Sequence, residues 1–112
     1  MAEYLLLIVG DEDAYGQLSE EEGKAMYAGH AAFMDDLRNA GVTILSSVEL
    51  EHPRTARTIL GDGTVTDGPF AEAKEQVGGY YLIDVPSIEE AVAWGKKIPL
   101  LPSDKLEVRK GR

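Results

Sequence analysis

Hydrophobic residues alternate along several short segments of the chain and recur with a helical period along two longer ones. Residues 3–9 are apolar at both alternating sets of positions, which predicts a strand that is buried on both faces. Residues 10–18 contain three consecutive acidic residues and are predicted to form an acidic loop. Further strands are predicted over residues 43–50, 55–60, 64–66, 77–85 and 104–109.

Two helices are predicted from their capping residues. Ser19 and Glu22 have the spacing of a capping box, which places the start of the first helix here, and Gly41 is expected to end it. The same pair of residue types opens a second helix over residues 88–97, and Pro99 marks its end. The predicted order of elements is therefore β-α-β-β-β-β-α-β, in which the fourth strand is short.

This order predicts an α+β fold of the ferredoxin-like type, with a mostly antiparallel sheet and two helices on one face. Two helices cover only one face of such a sheet, whereas residues 3–9 and 77–85 are apolar on both faces. Because large exposed apolar patches are rare on monomers, we expect a second copy of the chain to cover the open face in a homodimer. At 112 residues, the chain is expected to form a single domain over residues 1–112.

Composition excludes several classes of function. The chain has no cysteine, so it has neither disulfides nor thiolate chemistry, and its formal net charge of -9 argues against direct contact with nucleic acid. Its apolar runs are too short to span a membrane, and its first residues lack the basic start of a signal peptide, so a cytoplasmic location is expected. The two histidines match no metal-binding spacing, and neither a metal nor a cofactor is expected.

Residues 67–83 carry the most specific motif, Asp-Gly-Pro-Phe-Ala-Glu-Ala-Lys-Glu-Gln-Val-Gly-Gly-Tyr-Tyr-Leu-Ile. This segment resembles the signature of the DGPF family of YCII-related proteins, which is known for a DGPFAETKE motif, and the likeness extends over essentially the whole chain. The resemblance implies a dimeric α+β barrel with a cleft between the first helix and the sheet. Relatives are often encoded beside extracytoplasmic-function sigma factors, which makes such a factor a candidate partner.

The resemblance also implies a candidate catalytic pair, since His30 holds the position of a histidine on the first helix and relatives are thought to use a His–Asp pair. In that interpretation His30 transfers a proton and Asp67 orients its ring. The alternatives are a partly buried structural His30 and an Asp67 that only accepts hydrogen bonds within its turn. Phe70 is expected to anchor that turn in the core. Candidate ligand-binding residues are Arg57, Lys74, Glu75, Tyr80 and Tyr81.

Three functional interpretations follow from the sequence and the resemblance. The first is a lyase- or isomerase-type enzyme acting on a small organic acid, although Leu60 stands where relatives commonly have an arginine that would bind an anion. The second is a dimeric domain that binds a small molecule or a protein without catalysis. The third is a purely structural dimer. The sequence leaves open whether the protein is an enzyme.

Overall fold

The computed structural model describes residues 1–112 as an α+β fold with three helices and an antiparallel sheet. The strands are β1 (Ala2–Asp11), β2 (Thr43–Glu49), β3 (Arg57–Ile59), β4 (Val65–Asp67), β5 (Glu75–Val85) and β6 (Lys105–Lys110), and the helices are α1 (Glu12–Gly16), α2 (Glu20–Asn39) and α3 (Ile88–Gly95). A single 3-10 turn covers Pro53–Thr55.

Four strands form the main sheet in the order β2-β5-β1-β6, and all neighbours in it are antiparallel. The two longest strands, β1 and β5, lie at its centre, because their residues are apolar on both faces. β3 and β4 do not join this sheet and form a separate two-stranded hairpin, called here the hairpin arm.

The helix starts follow the predicted capping residues. The hydroxyl of Ser19 accepts a hydrogen bond from the amide of Glu22 at 3.1 Å, and the Glu22 carboxylate accepts one from the amide of Ser19 at 2.9 Å. Ser87 caps α3 through the amide of Glu90. None of the helices has both the length and the apolar composition that crossing a membrane requires.

The prediction of a loop over residues 10–18 is wrong, because α1 occupies its middle. Asp11 caps this helix by accepting a hydrogen bond from the amide of Asp13 at 3.0 Å. The acidic residues therefore have a local structural use: Glu12 and Asp13 lie in the first turn, where the helix dipole favours negative charge.

The core lies between one face of the sheet and the two longer helices. Its buried residues are Tyr4, Leu6, Phe33, Leu37, Tyr81, Ile83, Val85, Ala91 and Ile98. Side chains alternate along a strand, so the neighbours of these core residues on β1 and β5 face away from the helices. On that open face Leu5 lies opposite Leu82 and Leu7 lies opposite Tyr80, and all four remain partly exposed.

The segment after the hairpin arm differs from the prediction for Phe70. Its side chain is 89% exposed, so it does not anchor the turn in the core. The turn is instead held by the arm, since Gly68, with φ +87°, donates from its amide to the carbonyl of Ala56 and accepts from the hydroxyl of Thr58. These bonds fix the turn without burying the aromatic ring.

Candidate functional site

A cleft of about 490 Å³ lies between α2 and the sheet. Eighteen residues line it, and eleven of them are hydrophobic. α2 contributes Met26, His30 and Met34, and the polar groups opposite come from α1, β2 and β5. Those groups include Glu12, Tyr15, Ser47, Glu49 and Tyr81.

His30 and Tyr81 form a hydrogen-bonded pair in the wall of this cleft. The Nδ1 atom of His30 lies 2.6 Å from the Tyr81 hydroxyl, and the two rings stack with their centroids 5.9 Å apart. Burial lowers the pKa of His30 below its ordinary 6.5, against the opposing effects of the Glu49 carboxylate and the Pro99 carbonyl. Burial also raises the pKa of Tyr81. Near neutral pH the pair therefore consists of a neutral imidazole and a protonated phenol.

Packing behind the pair holds it in place. Phe33 follows His30 by three positions on α2 and lies on the same side of the helix. The ring of Phe33 meets Tyr81 edge-on at 5.0 Å and meets Trp94 of α3 edge-on at 6.5 Å. The position of the Tyr81 ring is thus set by the core on one side and by His30 on the other.

A second polar group lies at the α1 end of the cleft. The hydroxyl of Tyr15 donates to Oδ2 of Asp104, which also accepts from the amide of Leu101 at 2.9 Å. The other carboxylate oxygen of Asp104 is buried and has no hydrogen-bond partner. Burial, together with this bond to Asp104, raises the pKa of Tyr15, so its hydroxyl stays protonated.

Glu12 lies beside this group. Burial raises the pKa of Glu12; the nearby His52 opposes the shift, and the carboxylates of Asp104 and Glu49 add to it. His52 itself is occupied, because its Nε2 atom lies 2.7 Å from Oδ1 of Asp13.

Two glycines make room for these carboxylates. The pairing of β1 with β5 shifts register between Ile8 and Val9, which leaves Gly78 as the extra residue of a bulge. A Cβ atom on Gly78 would lie 2.2 Å from Oε1 of Glu12, and one on Gly10 would lie 2.0 Å from Oδ1 of Asp104. Two consecutive glycines within a strand are typical of a bulge or a close approach, and both occur at residues 78–79.

The structure brings only some of the predicted site residues to the cleft. Tyr81 binds His30, whereas the hydroxyl of Tyr80 lies 3.1 Å from that of Ser46. Asp67 does not line the cleft, and its 92% exposed side chain forms an ion pair with Arg57 at 3.2 Å. The physical reason is the register of the hairpin arm, which places Arg57 directly opposite Asp67. Within the chain, His30 therefore has Tyr81 rather than Asp67 as its partner.

The remaining candidates also lie outside the cleft. Glu75 forms an ion pair with Lys105 at 3.0 Å, and Lys74 is exposed beside it in sequence. The prediction missed Glu12 and Tyr15, which line the polar end of the cleft, and Asp104, which accepts a hydrogen bond from Tyr15. The available signal was the pair of glycines at positions 10 and 78, whose missing side chains leave the space that the carboxylates fill.

The fold and the site together define an α+β protein with an apolar cleft and a histidine–tyrosine pair in its wall. Residues 2–110 match the YCII-related domain, and the chain belongs to this family. An uncharacterized protein of Rhizobium meliloti (strain 1021) is 35% identical to it over 99 residues, which make up 85% of this chain and 78% of that protein.

Proposed function

We propose that the protein is a dimeric domain that binds a small molecule in the cleft between α2 and the sheet. The observation that carries this proposal is the cleft itself, at about 490 Å³, with mostly hydrophobic lining around the His30–Tyr81 pair. Binding sites for small ligands are concave and mostly apolar, with a few placed polar groups and volumes of roughly 300–1,000 Å³. The cleft has each of these properties.

The His30–Tyr81 pair is proposed to orient the ligand. A neutral imidazole has one donor and one acceptor nitrogen, and Nδ1 is engaged with Tyr81. Because the Pro99 carbonyl also interacts with the ring, the Tyr81 hydroxyl is proposed as the group that bonds the ligand. Because Phe33 packs against Tyr81, the pair keeps its geometry without a ligand.

The assembly is proposed to be a ferredoxin-like dimeric α+β barrel, in which two open sheet faces cover each other. Leu5, Leu7, Tyr80 and Leu82 support this proposal, because they form a row of large side chains on the face without helices. The motif at residues 67–75 supports assignment to the DGPF branch of the family, with residues 1–112 as one domain.

A second candidate function is proton transfer on a small organic acid, as in a lyase or an isomerase. The lowered pKa of His30 favours it, because the imidazole is then in its basic form at neutral pH. Asp67 would orient His30 only in an assembly that brings the hairpin arm of one copy to the cleft of another. The same condition applies to Arg57, Lys74 and Glu75 as ligand-binding residues.

The test is a thermal-shift screen of the wild type, His30→Ala and His52→Ala against organic acids, phenols, alcohols and amines. A ligand at 100 times its Kd adds about 2.7 kcal/mol, and each kcal/mol raises the Tm of a domain of this size by roughly 4–8 °C. We expect a shift that persists in His52→Ala and is lost in His30→Ala. No shift with any compound would contradict the proposal and favour protein docking, for instance to a sigma factor, or a structural role. If a compound that raises the Tm is also converted to a product, the enzyme hypothesis is favoured.

A further inference from the structure

The charges in the cleft wall are negative and have no counter-ion. Glu12 and Glu49 both line the cleft, whereas no lysine or arginine does. Neither glutamate belongs to any of the chain's ion pairs. A ligand carboxylate in this cleft would therefore be desolvated beside like charges.

His30 does not supply the missing positive charge. Burial lowers its pKa, so the imidazole is neutral near pH 7. The raised pKa values of Tyr15 and Tyr81 keep their hydroxyls protonated and uncharged. Near neutral pH the histidine and the tyrosines of the wall thus contribute no positive charge beside the carboxyl groups of Glu12 and Glu49.

The rest of the wall suits an organic cation. Aromatic rings attract cations to their faces, and thioethers adapt to apolar groups of irregular shape. Three tyrosines and two methionines line the cleft with their side chains: Tyr15, Tyr27, Tyr81, Met26 and Met34.

Building on the proposed binding function, we propose that the cleft takes a small organic cation, an amine on an apolar body, in preference to an organic acid. Its ammonium group lies beside Glu12 and Glu49, and its apolar body contacts the methionines of α2. The ammonium supplies the counter-ion that the two carboxylates lack. This assignment reverses the charge of the ligand expected from the family resemblance.

The experiment compares matched ligands that differ only in charge. Calorimetry near neutral pH and at low salt measures the Kd of phenethylamine, phenethyl alcohol and hydrocinnamate, and of hexylamine, hexanol and hexanoate. The protein is used as the wild type, as Glu12→Gln and Glu49→Gln, and as Glu51→Gln. The last variant is the control, because it removes the same charge from an exposed position outside the cleft.

We expect the wild type to bind the amine of at least one set roughly tenfold more tightly than the corresponding acid, which is the scale of one charge-assisted hydrogen bond. Glu49→Gln and Glu12→Gln should reduce that preference, whereas Glu51→Gln should keep it and alcohol binding should not change. Equal or tighter binding of the acids would overturn the inference and leave the binding function standing. Binding of neither set would overturn it as well, and the broader thermal-shift screen would then decide separately whether the cleft binds any ligand.

Discussion

The Nδ1 atom of His30 lies 2.6 Å from the hydroxyl of Tyr81, and this bond joins the middle of a long helix to the centre of the sheet. Tyr81 is buried and packs on Phe33, so the bond connects the cleft with the hydrophobic core. A change at either residue should therefore affect both ligand binding and stability.

Tyr81→Phe tests this bond, because it removes the hydroxyl and keeps the ring packing. Loss of the bond should lower the free energy of unfolding by about 0.5–1.5 kcal/mol and move the ring resonances of His30. Urea denaturation and NMR measure the two effects. Tyr80→Phe is the matched control, since it removes a hydroxyl that contacts Ser46 and should leave the His30 resonances in place. Unchanged His30 resonances in Tyr81→Phe would contradict the assignment.

The burial of His30 predicts a pH dependence of stability. Its folded-state pKa is below 6.5, so the unfolded chain binds the proton first as the pH falls. The free energy of unfolding should then decrease as the pH falls from 6.5 through the folded-state pKa, and this slope should be absent in His30→Gln. Urea denaturation between about pH 7.5 and 5.5 measures it. A slope retained in His30→Gln and lost in His52→Gln would show that the other histidine causes it.

The raised pKa of Glu12 predicts that stability depends on pH in the opposite direction. The pKa of Glu12 in the folded protein is above 4.5, so folding favours the protonated carboxyl group. The resulting contribution to the free energy of unfolding is complete below pH 4.5 and is lost as the pH rises through the folded-state pKa. Glu12→Gln, which stays neutral, should therefore gain stability relative to the wild type as the pH rises from about 4 to 7. Urea denaturation of both proteins and of Glu51→Gln measures the difference. A gain of the same size in Glu51→Gln would indicate a general effect of net charge rather than a local one.

Gly10→Ala and Gly78→Ala should lower the free energy of unfolding by different amounts. The new methyl group at Gly10 would meet the carboxylate of Asp104, which is held by Tyr15 and Leu101, so we expect a loss of about 1–3 kcal/mol. At Gly78 it would meet the carboxylate of Glu12, which is the free end of a flexible side chain, and the loss should be smaller.

Gly23→Ala is the control for both glycine substitutions, because no atom lies within 4 Å of its new Cβ. It should stabilise α2 by up to about 1 kcal/mol, since alanine has the higher helix propensity. Chemical denaturation measures the free energy of unfolding of all three variants. An equal loss in Gly10→Ala and Gly78→Ala would contradict the stated difference in restraint between the side chains of Asp104 and Glu12.

The dimer is tested by the mass in solution. Leu82→Glu places a charge on the open sheet face and should convert a particle of twice the chain mass into a folded monomer, as measured by light scattering and circular dichroism. Val92→Glu is the matched control, because it places the same charge on an exposed part of α3. A monomeric wild type at micromolar concentration would refute the dimer.

The two central strands and the helix starts could be predicted from the sequence because their signals are local. Residues 3–9 and 77–85 are apolar at nearly every position, and the prediction agrees with β1 and β5 within two residues at each end. The capping pair Ser19 and Glu22 forms the hydrogen bonds that its spacing indicates. The helix α1 was missed because its five residues have no apolar stripe and none is buried.

The site could be predicted only in part, because its contacts are set by register. Alternation places Tyr80 and Tyr81 on opposite faces, but the choice between them depends on which face the helices cover. In the structure Tyr81 lies opposite Leu6, a core residue, and this pairing directs it toward His30. Likewise, the pairing of Asp67 with Arg57 follows from the register of the hairpin arm, which no motif encodes.

The ring contacts behind the cleft give the protein an optical probe of its own. The chain has a single tryptophan, Trp94, and Phe33 touches both its indole and the ring of Tyr81. Lys97 lies over the same indole at 4.8 Å from its centroid. Emission from Trp94 therefore originates one aromatic ring away from the His30–Tyr81 pair. Occupancy of the cleft can be followed by intrinsic fluorescence, without a label and without altering a residue that lines it.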